Sequence, residues 1–355
     1  MDRELRNRIA LTIAHRTHPR RLQQVLDAYA TASEAALRHP ELLNSEALRL
    51  ADAELSFIER HQVQVFYYKD AGYPYRLAQC VDAPLMLYAK GNVNVSPQKV
   101  ISVVGTRMPS ERGKDWCCGL IADLAQMVPD VTVVSGLAYG IDVTAHRAAI
   151  EHGLPTIIVP AHGLDRIYPT AHRNVAVQAL ENGGILTEYP TGTEPEKYNF
   201  VARNRIIAGL ADAVVVVESK QKGGSLITAQ MAQDYNREVF ALPGRIDDVN
   251  SAGCNQLIKK QQAQLIENAA DLVEYMQWQP AAQPIQTSLV ELTCDLSDTQ
   301  RTILDLLRTA EDGLHINQIV METQLPYSDI SSQLIMMELN DIAKSMPGGM
   351  WRAAR

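Results

Sequence analysis

Two neighbouring stretches decide the fold: KVISVVGTRMPS at residues 99–110 and VTVVSGLAYGIDVTAH at residues 131–146. Each begins with a run rich in valine that ends in a short turn containing glycine, and each turn is followed by residues compatible with a helix. Near-continuous apolar strands that alternate with helices are typical of a parallel sheet covered on both faces. Such turns place free backbone N–H groups and the positive end of a helix dipole at the carboxyl edge of the sheet, where a phosphate fits.

Three side chains beside these turns are candidates for phosphate binding. Arg107 supplies a guanidinium, and Ser110 and Ser135 supply hydroxyl groups. The Walker pattern is absent, and Gly105 stands without the further glycines of a dinucleotide fingerprint. The sequence therefore predicts neither a nucleoside triphosphatase nor a nicotinamide enzyme. The alternative that both stretches are ordinary strand-to-helix turns stays open.

The same alternation of strand and helix continues to about residue 277, with further apolar runs at residues 156–159, 184–187, 213–217 and 239–242. This pattern predicts an α/β fold with an extended Rossmann-like, doubly wound parallel sheet. Four parts are expected: a helical bundle resembling a SAM domain (1–62), the sheet domain (63–277), a linker rich in Gln, Pro and Ala (278–295) and a winged helix (296–355).

The first 62 residues read as short helices. Leu5, Ile9 and Ile13 recur every four residues, Pro19 opens a second helix, Thr31 or Ser33 caps a third, and Ser45 caps a fourth. The first 21 residues hold six arginines. Because no Gly-x-Gly hairpin is present to hold a phosphate, we interpret the segment as a packing or regulatory bundle rather than a nucleic-acid module.

The C-terminal segment predicts three helices and a β-hairpin, which is the plan of a winged helix. The third helix, residues 328–339, contains no lysine or arginine, and the segment from Leu296 on holds eight acidic and five basic residues. A reader of the major groove without phosphate contacts would lose most of its affinity. We therefore expect this winged helix to contact protein, or nothing, and not duplex DNA.

The net charge of −8 hides a candidate basic rim. Nine basic residues fall in loops or first helical turns after the predicted strands: Arg107, Arg112, Lys114, Arg173, Arg203, Arg205, Lys220, Lys222 and Arg245. They either cluster at the carboxyl edge of the sheet or form an ordinary solvated surface. Tyr139, Tyr198 and Phe200 either stack on bases or pack as ordinary aromatic residues.

Other features limit the possible classes of protein. No apolar run approaches the length of a membrane helix. The five cysteines are odd in number and show no C-x-x-C spacing, which favours a reduced cytoplasmic protein without disulfides or a zinc site. We expect no cofactor. For His146, a catalytic role and a structural role both remain possible.

Five ordered motifs resemble the DNA-processing protein A (DprA, or Smf) family. They are Val104-Gly-Thr-Arg107, Ser135-Gly-Leu-Ala-Tyr-Gly-Ile-Asp142, Arg203-Asn-Arg-Ile-Ile-Ala-Gly-Leu210, Gly224-Ser-Leu-Ile-Thr-Ala229 and Leu242-Pro-Gly244. The resemblance covers about residues 65–270. It implies sequence-independent binding of single-stranded DNA, loading of the RecA recombinase during uptake of transforming DNA, a homodimer, and no enzymatic activity.

The resemblance also assigns residues. Carried onto matching positions, Gly105, Thr106, Arg107, Ser135 and Gly136 would hold phosphates, and a dimer seam would include Leu257, Ile258 and Leu265. Two departures from the family pattern are the longer Lys259–Ala263 segment and Val201 in place of a common proline. From the basic rim, Arg173, Arg203, Arg205 and Lys222 complete the predicted DNA site, together with the Ser110 hydroxyl.

An enzymatic alternative remains. A Rossmann-type nucleotide-processing enzyme, such as a phosphoribohydrolase acting on a nucleoside monophosphate, needs a carboxylate beside the phosphate cradle. Asp142 and Glu188 are the two candidates, and Asp142 has the competing role of stabilising the start of the helix that follows it.

Overall fold

A computed structural model of the chain describes residues 2–279, 296–310, 313–340, 342–346 and 348–353. Contacts divide the chain into two compact units, Met1–Ala281 and Ala282–Arg355. Within the described ranges, no helix is both long and apolar enough to span a bilayer, and no group of three acidic, histidine or cysteine side chains could hold a metal ion. Most of the predicted linker, residues 280–295, lies outside the described residues.

The first unit opens with a helical bundle, as expected. Its helices are α1 (Arg3–Ala14), α2 (Pro19–Leu26), α3 (Ala32–Arg38) and α4 (Ser45–His61). Thr31 caps α3, but Asn44 rather than Ser45 caps α4, because the Asn44 side chain accepts the Ala47 amide at 2.7 Å. The bundle shares one apolar cluster with the first two strands of the sheet, where Ile9 and Leu11 join Met86 and Tyr88.

The sheet has nine strands: β1 (Gln64–Tyr67), β2 (Met86–Gly91), β3 (Lys99–Val104), β4 (Val131–Ser135), β5 (Thr156–Ile158), β6 (Gly183–Thr187), β7 (Ala213–Val216), β8 (Glu238–Ala241) and β9 (Gln264–Leu265). Their order is β1-β2-β6-β5-β4-β3-β7-β8-β9. β1 and β2 pair antiparallel at one edge, and the other seven strands run parallel. The doubly wound sheet is confirmed, and β9 is an edge strand that the sequence pattern did not indicate.

Helices cover both faces of this sheet: α5 (Tyr75–Ala78), α6 (Glu111–Met127), α7 (Ile141–Glu151), α8 (Arg173–Ala179), α9 (Lys197–Leu210), α10 (Gly224–Asp234), α11 (Ala252–Lys259) and α12 (Ala269–Tyr275). Side chains alternate across the strands, so Val100 and Val214 join one apolar cluster while Ile101 and Val215 join another on the opposite face. Burial on both faces explains why these strands are almost wholly apolar.

The connections create a topological switch point between β3 and β7. From β3 the chain builds β4, β5 and β6 outward on one side, then crosses over to build β7, β8 and β9 on the other. β3 therefore has β4 on one flank and β7 on the other. Ligands of doubly wound sheets bind outside the carboxyl ends of the strands at such a point, because the two chain connections diverge there and leave a crevice.

The second unit is a winged helix. It contains α13 (Asp298–Thr309), β10 (Leu314–His315), α14 (Ile316–Thr323), α15 (Tyr327–Leu339), β11 (Ala343–Met346) and β12 (Met350–Ala353). Ser297 caps α13 through a capping box, and β11 and β12 form the predicted hairpin. Ile303, Ile319 and Leu334, one from each helix, meet in its core.

Candidate nucleic-acid interface

A cavity of about 320 Å³ lies at the switch point between β3 and β7. Its walls come from four segments: residues 104–107 after β3, residues 138 and 142 around the start of α7, residues 200–207 of α9, and residues 219–228 around the start of α10. Of the ten predicted DNA-binding residues, five line it: Gly105, Thr106, Arg107, Arg203 and Lys222.

The first turn presents donors to this cavity. The Thr106 hydroxyl accepts the Met108 amide at 3.2 Å, which leaves its own O–H free to donate. Arg107 is exposed, and its guanidinium carbon lies 5.2 Å from the ring centroid of Phe200, a cation–π contact. Arg107 forms no ion pair with any described residue. Its charge is therefore available to an anionic ligand.

The turn after β7 forms the second wall. Lys220 and Lys222 are exposed and form no ion pair among the described residues. α10 begins directly after them, and no side chain caps its N-terminus at Gly223. Uncapped amides and a helix dipole, beside two lysines, favour an anion at this position. Of this turn, only Lys222 belongs to the DNA site predicted from the sequence.

The turn after β4, predicted as the second phosphate cradle, is already filled by protein groups. Ser135 is fully buried and donates to the Val103 carbonyl at 2.6 Å. A Cβ atom on Gly136 would lie 2.6 Å from the guanidinium of Arg203, which covers this glycine. Neither residue lines the cavity, and their role in phosphate binding stays a prediction.

Arg203 forms the floor of the cavity rather than an exposed phosphate contact. It is 3 % exposed and donates to the carbonyl groups of Gly136, at 3.0 Å, and Val159. Burial lowers the pKa of Arg203 to about 10, so the guanidinium stays charged at neutral pH. Burial raises the pKa of Asp142, although Arg203 and the amides of Ala138 and Gly136 oppose that shift. Each of these two buried groups therefore shifts the pKa of the other in the direction that favours its charged form.

Three more predicted residues lie elsewhere. Ser110 caps α6 by accepting the Gly113 amide at 3.0 Å, and its hydroxyl donates to the carboxylate of Glu218 at 2.5 Å. Arg205 is ion-paired with Glu188, so its charge is not available either. Both side chains thus have partners within the fold, and their assignment to a phosphate site stays a prediction. Arg173 is exposed on the first turn of α8, outside the cavity, and its role in DNA binding stays a prediction.

Phe200 lines the cavity, and further aromatic residues lie on the segments that contribute to its walls. Tyr139 is half exposed and contacts the His172 ring edge-on, and Phe200 packs against Tyr168. Tyr198, in the first turn of α9, is 78 % exposed. His146, by contrast, is fully buried and hydrogen-bonded to Thr156 at 2.7 Å. Burial lowers the pKa of His146 to about 3, which leaves a neutral structural histidine.

The residues proposed for a dimer seam lie near the β9 edge. Leu257 is buried in the core, Ile258 is half buried, and Leu265 on β9 is 47 % exposed. An edge strand leaves backbone groups unpaired, which makes it suitable for contact with another chain. The seam itself stays a prediction.

These features define a Rossmann-like, doubly wound protein with a cation-lined pocket at its switch point and an appended winged helix. The chain belongs to the DNA recombination-mediator protein A family, whose sequence model matches residues 64–277. A second model, described as the DprA winged helix domain, matches residues 269–349. The family resemblance expected from the motifs is confirmed.

Comparison with individual proteins agrees with this assignment. The chain is 38% identical to the DNA processing protein DprA of Streptococcus pneumoniae over 242 residues, which cover 68% of this chain and 84% of that protein. The X-ray structure of DprA from the same organism matches with a TM-score of 0.66 at 35% identity, covering 75% of this chain and 95% of that one. A Helicobacter pylori DNA processing protein A structure, solved to describe single-stranded DNA binding, matches with a TM-score of 0.55 at 31% identity, covering 61% and 96%.

Proposed function

We propose that this protein binds single-stranded DNA without reading its sequence and thereby loads RecA recombinase during DNA uptake, in the cytoplasm. The observation that carries the proposal is a group of cations, Arg107, Lys220 and Lys222, that form no ion pair among the described residues and surround one cavity in a chain of net charge −8. Amides and guanidinium groups contact the sugar-phosphate backbone and leave base edges unread. Rings such as Tyr198 stack on any base.

The RecA role rests on the family, and its test is functional. RecA filament growth on single-stranded DNA should accelerate when the protein is added, and the Arg107→Ala variant should accelerate it less. Equal filament growth with and without the protein would contradict the mediator role while leaving DNA binding intact.

The proposal includes no catalysis and no cofactor. Of the two candidate carboxylates, Glu188 is paired with Arg205, and Asp142 is buried opposite Arg203 with its oxygen 3.4 Å from the Ala138 amide. The ion pair of Glu188 and the burial of Asp142 support a function without acid–base chemistry at these two residues. Release of base from nucleoside monophosphates should therefore be undetectable. Saturable release that disappears in Asp142→Ala would support the enzymatic alternative instead.

The variant Arg107→Ala tests the predicted phosphate contact of the Arg107 guanidinium. The substitution should weaken binding to oligo-dT, oligo-dA and oligo-dC by the same factor, because the guanidinium contacts phosphate and no base. One lost phosphate contact should also reduce the slope of log affinity against log salt by about one unit. Fluorescence anisotropy at several salt concentrations measures both effects. Unchanged affinity, or loss confined to one base composition, would remove Arg107 from the site.

The dimer proposal places Leu265 at a contact between two copies of the chain. A charged side chain in the middle of an apolar contact is costly to desolvate, so Leu265→Arg should shift the protein from dimer to monomer in analytical ultracentrifugation. Val177→Arg, another exposed apolar residue, on α8, serves as the matched control and should leave the dimer unchanged. A wild-type monomer at micromolar concentration would contradict the proposal.

The winged helix is proposed to contact protein, or nothing, rather than duplex DNA. The exposed face of α15 carries Ser332, Ile335, Met336 and Leu339, and no lysine or arginine lies on this helix. Removal of residues 282–355 should therefore leave the affinity for a 20-base-pair duplex unchanged at low salt, in a gel-shift titration. A loss of affinity greater than threefold would show that the domain contributes to duplex binding.

A further inference from the structure

Arg16, in the loop between α1 and α2, is held in place by neutral groups alone. Its guanidinium donates to the Asn199 side-chain oxygen at 3.0 Å and to the Thr193 hydroxyl at 3.3 Å, and it lies 4.7 Å from the ring centroid of Tyr189. None of these partners carries a negative charge, and Arg16 is exposed. The bundle therefore presents a fixed guanidinium with its charge uncompensated.

This guanidinium lies next to the cavity. Its partner Asn199 directly precedes Phe200, which lines the cavity and contacts Arg107. Arg16 and Arg107, one from the bundle and one from the sheet domain, thus contact consecutive residues in the first two turns of α9. The Arg16 contact at Asn199 and the cavity wall at Phe200 therefore lie on adjacent residues of α9.

Two more arginines follow Arg16 closely in the chain. Arg20 and Arg21 lie in the first turn of α2, are exposed, and form no ion pair with described residues. Four residues of chain span at most about 14 Å, and the His18 amide bonds back to the His15 carbonyl, which shortens the path further. Arg6 and Arg8 of the same segment are already paired with Asp52 and Asp70.

The carboxylates to consider beside these arginines are those of the loop before α9 and of α4. The loop before α9 contains Glu194 and Glu196; Glu194 is paired with Arg166, and Glu196 is exposed. Glu54 of α4 is buried and accepts hydrogen bonds from the Thr191 amide and hydroxyl. Its carboxyl group is therefore not exposed to solvent beside the three arginines. Of the two exposed carboxylates of that loop, Glu196 alone forms no ion pair among the described residues.

We propose that Arg16, Arg20 and Arg21 form a second phosphate-binding patch, the bundle patch, which extends the cavity so that a longer single strand is held by both the sheet domain and the N-terminal bundle. The inference rests on the proposed function, because it takes the ligand in the cavity to be single-stranded DNA. The bundle then contributes to DNA affinity through phosphate contacts and reads no base.

The test compares two oligonucleotide lengths on the full chain. Fluorescent oligo-dT of about six nucleotides fits one binding site of ordinary size, whereas about thirty nucleotides reach beyond it. Arg20→Ala/Arg21→Ala should weaken binding of the long oligonucleotide about tenfold at low salt and reduce its salt slope by about 1.4, which is 0.7 for each lost contact. Binding of the short one should change less than twofold.

A matched control removes equal charge elsewhere in the bundle. Arg38 in α3 and Arg60 in α4 are exposed and unpaired among the described residues, so Arg38→Ala/Arg60→Ala should leave both lengths unaffected. Equal weakening by the control pair, equal weakening of both lengths, or no effect of Arg20→Ala/Arg21→Ala would overturn the bundle patch. If Arg107→Ala still weakens both lengths, the proposed function survives that result. If the unmodified chain binds neither length, the proposed function itself fails.

Discussion

Replacement of Arg203 by alanine should destabilise the first unit by about 3 kcal/mol, because it leaves buried polar groups without their hydrogen-bond partner. Asp142 would stay buried without the guanidinium that favours its charged form, and the carbonyl groups of Gly136 and Val159 would lose their donor. For a unit of this size the melting temperature should fall by roughly 10 °C. Thermal unfolding followed by circular dichroism measures the effect.

The control for this prediction is Arg173→Ala. Arg173 is an exposed arginine on α8 without an ion pair among the described residues, so its loss should change stability by no more than about 0.5 kcal/mol. Because Arg203 forms the floor of the cavity, Arg203→Ala should also weaken oligo-dT binding at temperatures where the variant is still folded. A stability change below about 1 kcal/mol would mean that Arg203 is not the structural cation described above.

Gly140→Ala should have the second large effect on stability and DNA binding. Gly140 lies in the turn after β4, where it contacts the turn after β3. Its φ is 81° and its ψ is −127°, and a Cβ atom would lie 2.3 Å from the Thr106 carbonyl oxygen. Only glycine adopts this backbone conformation without strain of about 1–3 kcal/mol. The clash would also push Thr106 and Arg107 away from α7. We expect a destabilisation of about 3 kcal/mol and at least tenfold weaker binding of oligo-dT.

Gly153→Ala separates the effect of backbone strain from the effect of the clash with Thr106. Gly153 also has a positive φ, 72°, but a Cβ atom there would meet open space. Its substitution should cost about 1 kcal/mol, from backbone strain alone, and leave oligo-dT binding unchanged. If both variants lost the same stability and both kept full affinity, the contact between Gly140 and the turn at Thr106 would have no role in shaping the cavity.

Local patterns were sufficient to predict the sheet. Val100 to Val104 and Val131 to Val134 are apolar at every position or nearly so, which only a strand buried on both faces requires. The turn after β3 was also predictable, because Gly105, Thr106 and Arg107 follow the strand directly. The spacing of Ser297 and Gln300 is likewise typical of the capping box that starts α13.

The second wall of the cavity was not predictable from local patterns. β4 follows β3 in the chain, so the sequence predicts that the turns after these two strands form the phosphate site together. In the sheet, however, β7 flanks β3 on the other side, and the crevice opens between β3 and β7. Strand order depends on tertiary packing, so the turn at Lys220–Ser225 entered the site only with the topology. Asp142 and Arg203, 61 positions apart, occupy the space that Ser135 and Gly136 were expected to share with phosphate.

The partners of the basic residues also depend on tertiary packing and could not be predicted from the sequence. Sequence spacing shows that Arg203 and Arg205 cannot share one helix face, but not which acid each one meets. Arg205 pairs with Glu188, whereas Arg203 is buried and donates to the carbonyl groups of Gly136 and Val159. Arg16 gave no signal as a site residue, because its position beside Asn199 depends on how the bundle packs against the sheet domain.

The most direct test of the central claim is a crystal of the full chain soaked with a short oligo-dT. We predict phosphate density in the cavity at the β3–β7 switch point, within hydrogen-bonding distance of Thr106, Arg107 and the turn at Gly223–Ser225, with no base-edge contacts to the protein. Ordered DNA bound only at another surface, with this cavity still filled by solvent, would contradict the account.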